Sequence, residues 1–354
     1  MRNTLLARTG LLVVSVIALL FAGCDDGLLS DEVEQWRFAI EETRGSVQDG
    51  YAQRFKELIE ERTNGEVEVK VYPYGTLGTS DHVTELVRMG TVQFAMASPG
   101  HLGTMIPEVQ VLLLHFTLTD DEEVNKTALS DPQFQAALAP LYEDKGFRLL
   151  SVYPEGWMVW TANRMLRRPA DFTGLKIRTM TSPMLLAAYR AYGAAPTPLS
   201  YGEVYSALQL NMIDAQVNPV FAIQEMSFYE VSDYMIFGNQ APFITTSLTN
   251  HAFFEEQSPD RQALILEVID ELDEYIHELQ KDYNQSRMDI IRDNKPDLII
   301  VDDLTEEERD AFRQASLITR DVFVRAVGPS GEAILEELLA SVERAKEAHG
   351  WDEE

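Results

Sequence analysis

The chain has 354 residues, 45 % hydrophobic and 25 % charged, the profile of a folded protein long enough for two domains. Its formal net charge is −29 and its isoelectric point about 4.5. That balance excludes nucleic acid and anionic lipid surfaces, both of which demand basic partners.

Residues 1–23 read as a targeting segment. Arg2 and Arg8 form a charged start, LLVVSVIALLFAG is an apolar run shorter than a membrane-spanning helix needs, and Cys24 follows directly. Cys24 is the chain's single cysteine, so it has no disulfide partner within the chain. LFAGC resembles a lipobox, with Phe21 where Leu is commonest, which implies a membrane-anchored lipoprotein outside the cytoplasm. An ordinary secretory signal is the alternative. Residues 24–34 read as an acidic tether.

The remaining chain alternates strands and helices. WRFAI (36–40) reads as a strand ending at Glu41 and Glu42, followed by a helix with Tyr51, Phe55, Leu58 and Ile59 on one face. VEVKVYPY (67–74) is an alternating strand, 80–89 a helix, and VQFAMAS (92–98) a strand. VQVLLLHF, a helix over 131–145 and FRLLSVYP continue the rhythm. The pattern then restarts with GLKIRTM (174–180), a helix opened by Ser182-Pro183, and extended APTPL (195–199). Ser200-x-x-Glu203 is a capping box, MIDAQVNP (212–219) a strand leading into a helix at Pro219, and FITTSLTN (243–250) another strand. Ser258-Pro259-Asp260 caps a helix that runs unbroken to about Asn294, and Thr305-x-x-Glu308 opens the last helices.

These elements predict an α/β fold of two domains with largely parallel sheets, joined by a hinge and spanned by the long helix. The expected division is 35–155 plus about 242–280 for the first domain, and 156–241 plus about 281–354 for the second.

No catalytic or metal motif is present, and the six histidines (82, 101, 115, 251, 277 and 349) are scattered. No enzyme, cofactor or metal is therefore expected. Open α/β sheets bind ligands at the carboxyl ends of their strands. There the sequence places Glu41, Glu42, Ser98, His101, Trp157, Trp160, Arg178, Tyr201, Asn218 and Phe221. Within seven positions of Arg178 the only acidic residue is Asp171. An arginine so placed suits a carboxylate, and Asn218 can add a donor. Each residue has a plainer reading: Trp157 and Trp160 as hinge packing, Phe221 as core, Tyr201 as cover for a helix start, Asn218 as a cap or turn, and Arg178 in a surface salt bridge.

The segments GLKIRT, APTPLSYGEVYSALQ, IDAQVNP, FYEVS, VEVKVYPYGTLG, MGTVQFAMAS and LLLHF together resemble the DctP-type solute-binding proteins of TRAP transporters, over about residues 36–345. The resemblance implies a receptor that binds a small carboxylate-bearing solute between two hinged domains and delivers it to membrane permease subunits. It implies that Arg178 holds the carboxylate and that Asn218 assists, although Ala215 and Val217 replace the family's usual Gly and Glu. Met158 stands where sialic-acid binders carry a further arginine. WRFAIEE, VQDGYAQRF, YPEG, KIRTMT, APTPL and GEVY are most similar to the family's ectoine-binding members. That likeness implies an acidic residue, Glu41 or Glu42, at the ligand's cation, with Phe221 among the stacking aromatics. Here His101 replaces an expected Phe and Tyr201 an expected Trp. A ligand-sensing subunit for a signalling partner would use the same cleft, and a secreted α/β hydrolase would need a nucleophile–base pair there.

Overall fold

The computed structural model describes residues 33–351; Cys24, the targeting segment and most of the tether lie outside them. Nine strands form one continuous sheet: β1 (Glu34–Ala39), β2 (Val67–Tyr72), β3 (Phe94–Ala97), β4 (Phe147–Ala162), β5 (Lys176–Thr179), β6 (Ala195–Pro198), β7 (Ala215–Asn218), β8 (Tyr234–Asn250) and β9 (Ile299–Val301). The order is β2-β1-β3-β8-β4-β7-β5-β6, with β9 beside β8.

The flanks are parallel, as expected: β1 pairs with β2 and β3, and β5 with β6 and β7. The centre corrects that expectation. β4 and β8 run antiparallel from Phe147 opposite Asn250 to Ala162 opposite Tyr234. They are 16 and 17 residues long, about 50 Å at the usual strand rise of ~3.3 Å per residue. Each thus belongs to both lobes, one at either end. A second correction concerns VQVLLLHF. The apolar run forms a 3₁₀ helix, Pro107–Leu113, not a strand. Pro107 starts it, and a short run buried all round carries no periodicity to distinguish the two.

Caps placed by sequence form as read. Ser182 accepts from the amides of Met184 and Leu185, and Ser258 from that of Arg261. The capping boxes at Ser200–Glu203 and Thr305–Glu308 are both closed. The long helix is Pro259–Asn294, 36 residues or roughly 54 Å at ~1.5 Å per residue. It packs on helix Val47–Arg62 of the first lobe and on helix Val220–Glu225 of the second. The last helix, Pro329–His349, lies against helices Glu122–Leu129 and Pro132–Glu143, where Arg344 pairs with Asp131.

Each lobe has its own aromatic core. Trp36, Phe38, Phe55 and Phe94 pack in the first, with Phe38 and Phe55 ring centroids 5.1 Å apart. Trp160, Phe172, Tyr189, Tyr192 and Phe312 pack in the second.

The crossing between lobes is fastened by Asn284 of the long helix. Its Nδ2 donates to the carbonyl of Glu155 at 2.9 Å, and its Oδ1 accepts from the amide of Phe221 at 3.2 Å. β4 breaks register here, between Pro154 and Trp157, and Gly156 has φ +118°. A Cβ on Gly156 would collide with the Asn284 amide. Gly156→Ala is therefore expected to lower stability by roughly 1–3 kcal/mol through backbone strain alone. Chemical denaturation measures this, and an unchanged midpoint would show that the crossing tolerates a side chain.

A cleft with a cationic and an anionic wall

The carboxyl ends of the parallel strands of the two lobes face each other. From the first lobe, β1 runs out at Glu41 and Glu42 and β3 at Ser98 and His101. From the second, β5 presents Arg178 and Met180, β6 leads to Tyr201, and β7 ends at Asn218 and Pro219. Ser80, Ala222 and Phe243 complete the lining, and the walls leave a cavity of about 30 Å³. Bonds across the seam hold them close. Thr43 Oγ1 donates to Glu225 at 3.1 Å, the amide of Gly202 to Tyr74 Oη at 3.3 Å, and Ser182 Oγ to Gln110 at 2.7 Å.

Arg178 is 2 % exposed. Its Nε donates to the Leu199 carbonyl at 3.0 Å, which anchors the guanidinium. Among the described residues no carboxylate pairs with it. Burial pulls its pKa down to about 10, so it remains charged at neutral pH. Beside it, Asn218 gives its Nδ2 to Gln216 at 2.5 Å. Tyr201 stands edge-on to Tyr74, centroids 5.6 Å apart. A buried cation with an amide and aromatic neighbours can take a carboxylate in a directed, charge-assisted way.

The opposite wall is acidic. Glu41 Oε2 accepts from the Ser98 amide at 2.9 Å, while its Oε1 is buried without a partner. Burial raises its pKa, and nearby His101 and the Ser98 bonds pull part of the way back. Glu42 accepts from the Gln48 amide at 3.1 Å. Its pKa stands well above the usual carboxylate range, from burial first and then from Glu155 and Glu225. Those two carboxyls were not among the sequence candidates. Glu155, on β4, accepts from Gln48 Nε2 at 3.1 Å, and burial pushes its pKa to about 7. Glu225, on helix Val220–Glu225, is also pushed to about 7 by burial.

Arg178, Asn218, Glu41, Glu42, Tyr201 and His101 thus meet at one cleft. Three candidates do not. Trp160 is fully buried in the second lobe's core, 5.0 Å from Phe172 and 5.1 Å from Phe312, with its Nε1 donating to Tyr189 at 3.0 Å. Trp157 lines a separate hollow beside Asn284 and Met288 of the long helix. Phe221 is fully buried in core. Pro219, the N-cap of helix Val220–Glu225, and Ala222 line the cleft, and Phe221 does not. Phe243 and Met180 supply the apolar lining instead. Phe243 was legible only as part of a strand, since nothing local marks which face of a β-branched run meets a ligand.

Two lobes closing over a small cleft, with polar groups at the strand ends, define a solute-binding protein. The chain belongs to the DctP family, the bacterial extracellular solute-binding proteins of family 7, whose model matches residues 38–322. Among its relatives is the ectoine/5-hydroxyectoine-binding periplasmic protein UehA of Ruegeria pomeroyi, 35 % identical over 88 % of this chain and 91 % of that protein. Another is the ectoine-binding periplasmic protein TeaA of Halomonas elongata, 35 % identical over 94 % and 96 %. An apo, open structure of a TRAP periplasmic solute-binding protein from Marinobacter aquaeolei is 43 % identical and superposes with a TM-score of 0.81, covering 86 % of this chain and 99 % of that one.

The raised carboxyls carry a consequence for stability. Glu155 and Glu225 have pKa values of about 7 in the folded protein against 4.5 when free. Between those values the folded state holds more protons than the unfolded state, so stability falls as pH rises through that window. Glu123 and Glu308, held down to about 2 by His277 and Arg167 respectively, act in the opposite sense only below about pH 4.5. His115, pushed down to about 3 by burial, does so up to about pH 6.5, one group against the two glutamates and Asp273, which burial also raises to about 7. The melting temperature should therefore decrease from pH 5 to pH 8, and Glu155→Gln should flatten that decrease. Calorimetric scans across this range decide it; a rising melting temperature would contradict protonated carboxyls at the seam.

Proposed function

We propose that this protein captures a small, carboxylate-bearing zwitterion of the ectoine type and hands it to the membrane subunits of a TRAP transporter. The observation that carries this is the pair of unlike walls: a buried Arg178 on one lobe, and buried Glu41 and Glu42 on the other, with no carboxylate paired to the arginine and no lysine or arginine paired to the two acids among the described residues. A carboxylate takes Arg178 and Asn218, the cationic end takes Glu41 with Glu42 behind it, and Tyr201 and Phe243 cover the ring. Ectoine joins a carboxylate to a ring bearing a delocalised amidinium, so it supplies both charges, and both named relatives are ectoine binders. The ligand then bridges the lobes, and closure follows from binding. On this reading 35–155 plus about 242–280 moves against 156–241 plus about 281–354, about the crossing of β4 and β8. No step of bond making is required.

The test is isothermal calorimetry with ectoine on the wild type and Arg178→Met. A fork of charge-assisted bonds, each contributing roughly 1.5–3 kcal/mol, predicts a loss of about 100-fold or more. The variant should be at least as stable as the wild type without ligand, since it removes an unpaired buried charge. Equal affinity in the two proteins would remove Arg178 from the site.

Periplasmic relatives support the same compartment for this chain, and we propose that lipidation of Cys24 tethers it there. Cys24→Ala should move the protein from the membrane fraction to the soluble one. Retention in the membrane fraction would refute the anchor.

A further inference from the structure

His101 adds a second titratable group to the acidic wall, and that group answers to it. The residue lies in the turn of helix after β3, in the cleft lining. Its Nδ1 is 3.1 Å from Asp81 Oδ1, on helix Ser80–Arg88. With Nδ1 given to Asp81, Nε2 is the ring nitrogen left for other partners. The charged groups that face the ring are Glu41 from the end of β1, Asp81 from the neighbouring helix, and Arg178 from β5. Burial disfavours the imidazolium, as does Arg178, but Glu41 and Asp81 together outweigh them and the pKa is raised. Asp81 is held below the usual range, chiefly by its bond to His101.

Glu41 is thus the carboxylate that both His101 and a ligand's cation would use. When the imidazole is protonated, Glu41 already has a counter-charge. When it is neutral, Glu41 faces the cleft with its unpartnered Oε1 and no cation beside it. We propose that His101 is a specificity-determining residue that sets the charge of this wall and so ranks carboxylate ligands by what their far end carries. The imidazolium form suits a far end of hydroxyls, which donate to Glu41 and accept from the ring. The imidazole form suits a cation. Asp81 acts as a positioning residue, holding Nδ1 so that the ring faces Glu41. The inference rests on the carboxylate-receptor reading above and adds the pH at which each ligand type is preferred.

The sign follows from linkage. A cationic ligand end lowers the imidazole's proton affinity, so its binding strengthens as pH rises through the histidine's titration. A hydroxylated anion raises that affinity, so its binding weakens over the same range. Glu155 and Glu225 also titrate near this range, and Glu42 is raised beside them, but all three remain in a His101 variant, and the comparison isolates the histidine.

Two measurements on the full-length protein test this. The first is an NMR titration of the His101 ring, assigned by its loss in His101→Gln, in the wild type and in Glu41→Gln. The ring's pKa should fall in Glu41→Gln; an unchanged value overturns the proposal. The second is calorimetry between pH 6 and 8.5 with ectoine and with glucuronate, a carboxylate bearing hydroxyls and no cation. Ectoine affinity should rise by about tenfold, the size of one unit of pKa linkage, while glucuronate affinity falls. His101→Gln should flatten both trends. Trends that persist in the variant overturn the proposal. If neither compound binds at any pH, the receptor reading fails for these ligands, and the titration still decides whether His101 answers to Glu41.

Discussion

The structure turns on a guanidinium that is buried without an anion. Arg178 has one hydrogen bond within the described chain, to the Leu199 carbonyl, and is almost wholly removed from water. Burying a charge without a counter-charge costs several kcal/mol, so something must hold it there. The sheet does: β5 lies between β7 and β6, with Arg178 in register with Gln216 and Thr197. The opposite wall repeats the situation with the other sign. Glu41 and Glu42 sit at the end of β1, itself held between β2 and β3. Two rigid half-sheets therefore carry opposite, desolvated groups toward each other, and the groups do not touch. On the proposed reading, a molecule with both charges relieves both penalties at once.

Closure without loss of register requires a joint that is neither loose nor fully rigid. β4 and β8 supply it by running through both lobes, so the lobes remain one sheet. The register break between Pro154 and Trp157 lies where the lobes meet, and bulges of this kind are where strands bend most easily. Asn284 then ties the bend to the long helix through Glu155 on one side and Phe221 on the other. The carboxyl of that same Glu155 belongs to the set at the seam whose pKa values are raised by burial. The hinge and the acidic wall are thus neighbours through one residue.

Much of this was legible residue by residue. Caps and strand ends carry local signals, and Ser182, Ser258, Glu41, Arg178 and Asn218 fall where those signals put them. What was not legible depends on distance along the chain. The antiparallel centre needs β4 to meet β8 some ninety residues on, and no window of sequence shows that. Trp160 and Phe221 look like ligand aromatics because they adjoin cleft residues, yet helix and strand periodicity turn them into cores. Glu155 and Glu225 are two acids among 58, and only their place in the fold, the first fully buried and the second half-buried at the seam, distinguishes them.

The net charge of −29 raises a problem for a receptor of anions, and its resolution bears on the ligand. Surface carboxylates on this chain are spread over helices and often paired, as Glu271 is with Arg54 and Arg62. Their summed field repels an approaching anion, but salt screens it within about 8 Å at physiological ionic strength. Inside the cleft Arg178, charged at neutral pH, dominates one wall. A ligand of zero net charge crosses the outer field at no electrostatic cost and is then oriented by the dipole between the walls. A dianion is opposed by the field outside and by Glu41 within. On the proposed reading, the same acidity that excludes nucleic acid thus favours a zwitterion over a dianion, and more so as salt falls.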